Sequence, residues 1–204
     1  YLECYHCATS HRAYAKLHTL KDLDEKSRPI VNAMLERADE VTGVPGISKE
    51  HTKIYLDAES FGACAHTMRY GLFDGNVTGS EDGQPVAPLM GQFQDYDGGA
   101  GDYQMGPLTF MLNYPDHCVL YRFLPRSLTE TDAELIWFVR GDAKAGEDFD
   151  VDRVTWLWHH TTQEDEYIIM RNSEGVNSRF FEPGPYHPEF EFTLQEFIRW
   201  YLAT

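Results

Sequence analysis

A carboxylate sits where the longest helical pattern of this chain asks for an apolar side chain. Asp150 can cap a helix that is predicted to begin near Val151 and to run to Asn172 or beyond, with Gly175 as a stop. Val154, Leu157, Trp158, Thr161, Ile168 and Ile169 recur along it at three- and four-residue spacings and mark the face that packs on the rest of the fold. Asp165 falls in that stripe, between Thr161 and Ile168. An unpaired carboxylate facing the core is costly, so the chain must bring something to it: a cation, a salt bridge from an arginine such as Arg171 or Arg153, or a metal.

The opening eleven residues, Y-L-E-C-Y-H-C-A-T-S-H, offer donors in unusual number. Glu3, Cys4, His6, Cys7 and His11 are residue types whose common property is a lone pair for a cation. Between Leu2 and Leu20 there is no Pro or Gly, and Leu2, Tyr5, Tyr14 and Leu17 fall at helical spacings, which predicts a helix that is irregular in its middle. Two histidines with one carboxylate form the facial triad of non-haem iron(II), which leaves coordination positions open for oxygen and substrate. Structural zinc prefers a closed site. Cys4-x-x-Cys7 would be half of one, but no second C-x-x-C, C-x-x-H or H-x-x-x-H follows at normal spacing. The other histidines, His18, His51, His66, His117, His159, His160 and His187, read as surface or hydrogen-bonded residues, and Glu164 points about a quarter-turn from Asp165 as a solvated or supporting acid.

With 204 residues, 42% of them hydrophobic and 14% aromatic, the chain is expected to form one globular domain. Its formal charge of -16, with seventeen scattered Lys and Arg, argues against nucleic acid. No apolar run approaches the length of a membrane span, and no secretory signal opens the chain, so a soluble, cytoplasmic protein is expected, with no membrane partner. Tyr1 is not an initiator methionine, which suggests a piece of something longer. Four irregularly spaced cysteines are expected to be reduced thiols, and Asn76-Val77-Thr78 is read as a chance glycosylation triplet.

Ser27-Arg28-Pro29 looks like a second helix start, with Ile30, Met34, Leu35 and Val41 as its stripe and Gly43 and Pro45 as its stop. Strand signals lie between Thr52 and Leu72, most clearly from Cys64 to Tyr70, and then at Pro107–Tyr114, His117–Phe123 and Ala133–Arg140. Between them Asp74 to Gly106 is rich in Gly, Asp and Pro, and reads as a lid or binding loop that Gly98-Gly99-Ala100-Gly101 would allow to move. A short helix from Leu194 to Leu202 closes the chain. Helices, then antiparallel strands, then helices make an α+β domain.

The segment E-C-Y-H-C-x-x-x-H, Glu3 to His11, resembles the iron-binding segment of the Rieske-type non-haem iron oxygenases, in the catalytic domain of their large subunit. Thr162-Gln163-Glu164-Asp165, Asn172 to Ser178, Pro183-Gly184-Pro185-Tyr186 and Glu189 look like that family's third-ligand helix and tail, so the resemblance spans essentially the whole chain. It implies a helix-grip fold, in which an antiparallel sheet wraps long helices around a cavity, over a single catalytic domain, residues 1–204. It makes His6, His11 and Asp165 the ligands of a mononuclear Fe(II), with O2 as co-substrate. His6 and His11 are five apart, so a break or wide turn is expected near Ala8 to Ser10. Glu3 matches the acid that links the cluster of a neighbouring subunit to the iron, and it is expected to be catalytic.

A glutamate there, within Leu-Glu-Cys-Tyr-His-Cys, looks more like the branch acting on choline, glycine betaine, carnitine and related quaternary ammonium compounds. A Rieske 2Fe-2S centre needs C-x-H and C-x-x-H pairs, and this chain has no C-x-x-H, so the N-terminal Rieske domain is expected to be absent from it. The resemblance further implies a reductase or electron-transfer component drawing on NAD(P)H, and a homotrimer. Tyr70, Phe73, Phe110, Tyr114, Phe138 and Trp156 are aromatics that could face a fixed cation, though each fits a core role as well. The rival readings are an aromatic-ring-hydroxylating dioxygenase and, outside enzymes, a helix-grip module that only binds a ligand.

Overall fold

The computed structural model describes residues 6–19, 25, 27–43, 52–55, 65–73, 75–186 and 191–203. Its centre is a sheet of six strands, β1 (Thr52–Tyr55), β2 (Ala65–Gly71), β3 (Gly99–Met105), β4 (Thr109–Asn113), β5 (Cys118–Pro125) and β6 (Thr131–Phe138). They lie in sequence order and every neighbouring pair is antiparallel. Side chains alternate across such a sheet, so each strand serves two faces. Phe110 and Leu112 of β4, Val119 and Tyr121 of β5, and Leu135 and Trp137 of β6 line one face in register. Against them pack Leu17 of α2 (Arg12–Leu17) and Leu157 and Trp158 of α4 (Val151–Val176). On the opposite face α3 (Ser27–Thr42) lies on β2 and β3 through Val31, Met34 and Leu35. The chain is thus α+β, and α5 (Phe192–Ala203) follows α4.

β3 is a central strand inside the glycine-rich stretch where no element was expected. A Cβ on Gly99 would lie 2.7 Å from Met34 and 2.8 Å from the Arg69 guanidinium, and one on Gly71, opposite it in β2, would lie 2.8 Å from Ile30. These glycines let α3 approach the backbone of the sheet, so the strand lacks the β-branched residues by which strands are usually read. Residues 75–98 hold no helix or strand, yet hydrogen bonds tie them to the rest of the fold. Asp116, fully buried in the β4–β5 turn, accepts hydrogen bonds from Thr78 Oγ1 (2.5 Å), Val86 N (3.0 Å), Tyr96 Oη (3.2 Å) and His117 Nδ1 (2.8 Å). Burial pushes the Asp116 carboxyl up, but these donors outweigh it and hold its pKa below the usual value.

α4 begins as expected, with Asp150 accepting from the Arg153 backbone N–H at 3.1 Å. Its apolar stripe is buried at Val154, Leu157, Trp158 and Thr161 and ends there. Tyr167, Ile169 and Met170 are exposed. Asp165 therefore stands at the rim of the core and not inside it, with its side chain 35% exposed. Among the described residues no helix is long and apolar enough to cross a membrane.

Candidate metal centre

The opening segment folds as two short helices, α1 (Cys7–Ser10) and α2, broken at His11, whose backbone (φ -110°, ψ 81°) leaves the helical region. The break lies one residue beyond the Ala8–Ser10 span expected for it, and it matters for aim. In a continuous helix, side chains five residues apart diverge by about 140°. Interrupting the helix at His11 turns both rings inward, and His6 Nε2 and His11 Nε2 lie 3.2 Å apart.

Asp165 meets them from α4. Its Oδ1 is 3.2 Å from His6 Nε2 and 3.0 Å from His11 Nε2. The three donor atoms form a nearly equilateral triangle, with Asp165 drawn from 154 and 159 residues beyond the two histidines. His11 is buried, with 1% of its side chain exposed, whereas His6 and Asp165 are each about one-third open to solvent. Glu164 joins the cluster from the far side of the ring, with Oε2 2.9 Å from His11 Nδ1. Burial depresses the His11 pKa, but the hydrogen bonds and charges of Asp165 and Glu164 prevail and raise it above 6.5. Burial raises Asp165, yet His11 and His6 draw it below 3.8.

Neither arginine considered for Asp165 reaches it. Arg153 pairs with Asp82 at 3.5 Å, and Arg171 with Glu174 at 3.2 Å. Cys7 places a ligand atom within 4.8 Å of those of His6 and His11. His159 and His160 are exposed, and His160 stacks on Trp156. His18 and His117 are buried in hydrogen-bonded settings of their own. Of the aromatics, Tyr70, Phe110 and Tyr114 fill the core, while Phe73 and Phe138 are exposed. Glu3, Cys4, Cys64, His51, His187 and Glu189 lie outside the described residues, as does the His66 side chain. A concavity of about 450 Å³ opens beside Val86, Phe149 and Arg153. It is remote from the cluster, since Arg153 precedes Asp165 by about 18 Å of helix.

The family model for the catalytic domain of the ring-hydroxylating alpha subunit matches residues 1–204, and the chain belongs to that family, the Rieske-type oxygenases. Among its relatives is the glycine betaine monooxygenase oxygenase subunit of Pseudomonas aeruginosa (strain UCBPP-PA14), 32% identical over 200 residues, which are 98% of this chain and 46% of the relative. The protein of the same description from Chromohalobacter salexigens is 28% identical over 203 residues, 99% of this chain and 44% of the relative. The chain thus spans about half the length of the curated relatives it matches.

Membership implies a mononuclear iron and a separate Rieske cluster, and the donor set can be tested against the iron. Metal–donor bonds of about 2.1 Å at right angles place facial donors about 3.0 Å apart. The observed separations of 3.0 to 3.2 Å fit. Protons alone satisfy the triangle poorly. An N–H on each Nε2 sets two donors against one another, and an N–H on one leaves the other's lone pair facing a carboxylate. A single cation meets all three lone pairs together.

Proposed function

We propose that this chain is the catalytic domain of an oxygenase in which His6, His11 and Asp165 hold Fe(II), and that its substrate is a quaternary ammonium compound of the glycine betaine type. The observation that carries the site is the triangle of donor atoms at 3.0 to 3.2 Å, formed by two imidazoles and one carboxylate. The substrate class rests on the glycine betaine monooxygenase activity for which the relatives are named. Iron so held supplies dioxygen binding and activation. The chain's own residues supply the geometry: the break at His11 and the docking of α4 fix three donors on one side, and the exposed edge beside His6 and Asp165 leaves the other side to substrate.

For an N-methyl group the net reaction inserts one oxygen atom of O2 into a C–H bond. The second oxygen leaves as water, with two electrons and two protons supplied from outside the chain. The resulting N-hydroxymethyl ammonium loses a proton from its hydroxyl and expels formaldehyde, and the C–N bonding pair stays on nitrogen as a tertiary amine. The electrons come from a reductase through a Rieske cluster, for which Glu3 is the receiving relay, in a trimeric assembly. Helix-grip architecture accommodates this arrangement of sheet and helices. A module that merely binds apolar ligands has no need to converge two histidines and an aspartate on one point.

Metal analysis after anaerobic Fe(II) loading tests the site. One iron per chain is expected, and His6→Ala and Asp165→Ala should each lose it. Wild-type protein that remains metal-free would overturn the reading. For the substrate, the full-length protein with a reductase should release formaldehyde from a methylammonium compound in an oxygen-dependent manner, and silence across betaine, choline and carnitine would reject the class.

A further inference from the structure

The hydrogen bond between Glu164 and His11 is left over when the three donors facing the triangle are assigned. Adjacent residues of an α-helix project about 100° apart. From neighbouring positions of α4, Asp165 reaches Nε2 of His11 at 3.0 Å and Glu164 reaches Nδ1 of the same ring at 2.9 Å. One imidazole is thus gripped on both of its nitrogens by consecutive acids. Among the described residues, His11 is the ion-pair partner of Glu164, whose side chain is 38% exposed.

A carboxylate at Nδ1 can only accept, so in the neutral ring it keeps the proton there and leaves Nε2 with its lone pair directed into the triangle. It also stops the ring from flipping, which would carry the protonated nitrogen to the metal side. We infer that Glu164 is a positioning residue, which selects the Nδ1–H tautomer of His11 and so prepares the centre for a metal. This inference rests on the metal reading of His6, His11 and Asp165. His6, by contrast, is held from the metal side only, among the described contacts.

The test uses Co(II) as a spectroscopic probe, titrated anaerobically into the whole chain and followed by its visible d–d bands. Glu164→Ala should weaken Co(II) binding ten- to hundredfold. Glu164→Gln keeps an oxygen that can accept from Nδ1 and should recover most of the loss. In the Zn(II)-loaded protein, a slowly exchanging His11 Nδ1–H resonance is expected for wild type and Glu164→Gln, and its loss for Glu164→Ala. Wild-type Co(II) affinity in Glu164→Ala, or a persistent Nδ1–H signal, would overturn the role of Glu164. His11→Ala separates the two ideas: if it abolishes binding while Glu164→Ala does not, only the positioning role fails. If His11→Ala binds as wild type does, the metal reading itself has failed. Far-UV circular dichroism of each variant ensures that a folded protein is compared.

Discussion

His18 shows how a buried core histidine differs from His11 in the proposed metal site. It is fully buried, its Nδ1–H donates to the Tyr14 carbonyl at 3.0 Å, and its Nε2 accepts from the Tyr114 hydroxyl at 2.8 Å. Tyr114 in turn accepts from Trp158 Nε1–H at 3.1 Å. Every atom in the series is satisfied with the ring neutral, and burial lowers the His18 pKa to about 4. Between about pH 4 and 6.5 the unfolded chain therefore binds a proton that the folded one refuses. The stability that depends on His18 is complete above pH 6.5 and is lost on acidification toward pH 4, on the order of 3 kcal/mol over the window. Chemical denaturation at a series of pH values should show this slope, and His18→Gln should flatten it while lowering stability at neutral pH. At this scale the sequence is readable where a residue type contradicts its surroundings. Asp165 in an apolar stripe and paired histidines in the opening segment announce themselves. Glu164 does not, because an acid on a helix beside another acid looks solvated until a ring nitrogen is found opposite it.

Among the elements, β3 carries the sharpest prediction. Gly99 admits no Cβ without displacing Met34 and Arg69, so Gly99→Ala should cost about 1–3 kcal/mol, seen as a lower denaturation midpoint with unchanged slope. The same glycines explain why a central strand resembled a hinge in the sequence. Strand patterns are written in side chains, and this strand is defined by their absence at Gly99 and Gly101. α4 was easier to find, since Asp150 caps it and a 3.6-residue period runs through it. Its periodicity could not tell where burial stops. Ile168 and Ile169 continue the pattern past Thr161, although the described packing partners of the helix end near that point.

For the whole molecule, the cluster joins the first described helices to the last third of the chain, and the meander of six strands lies between. A metal bound there binds the folded state and not the separated ends, so it should raise the melting temperature in proportion to the logarithm of its concentration. At a hundredfold excess over Kd the gain is about 2.7 kcal/mol. Calorimetry with Co(II) should show the rise in wild type and none in Asp165→Ala. The α+β order of elements was readable from turn residues and periodicity, because neighbouring strands are also consecutive in the chain. The meeting of His11 with Asp165 is a long-range fact that no local pattern records.

That separation also has a meaning in time. During synthesis His6 and His11 leave the ribosome 159 and 154 residues before Asp165. At about 5–20 residues per second, that leaves them exposed for roughly 8–30 s without their carboxylate. For that interval the nascent chain offers two imidazoles and a neighbouring thiol to any ion in the cell, and competition among divalent metals favours copper and zinc over iron. If the cluster holds the proposed metal, the late arrival of α4 makes the choice of that metal a matter of translation as well as of equilibrium.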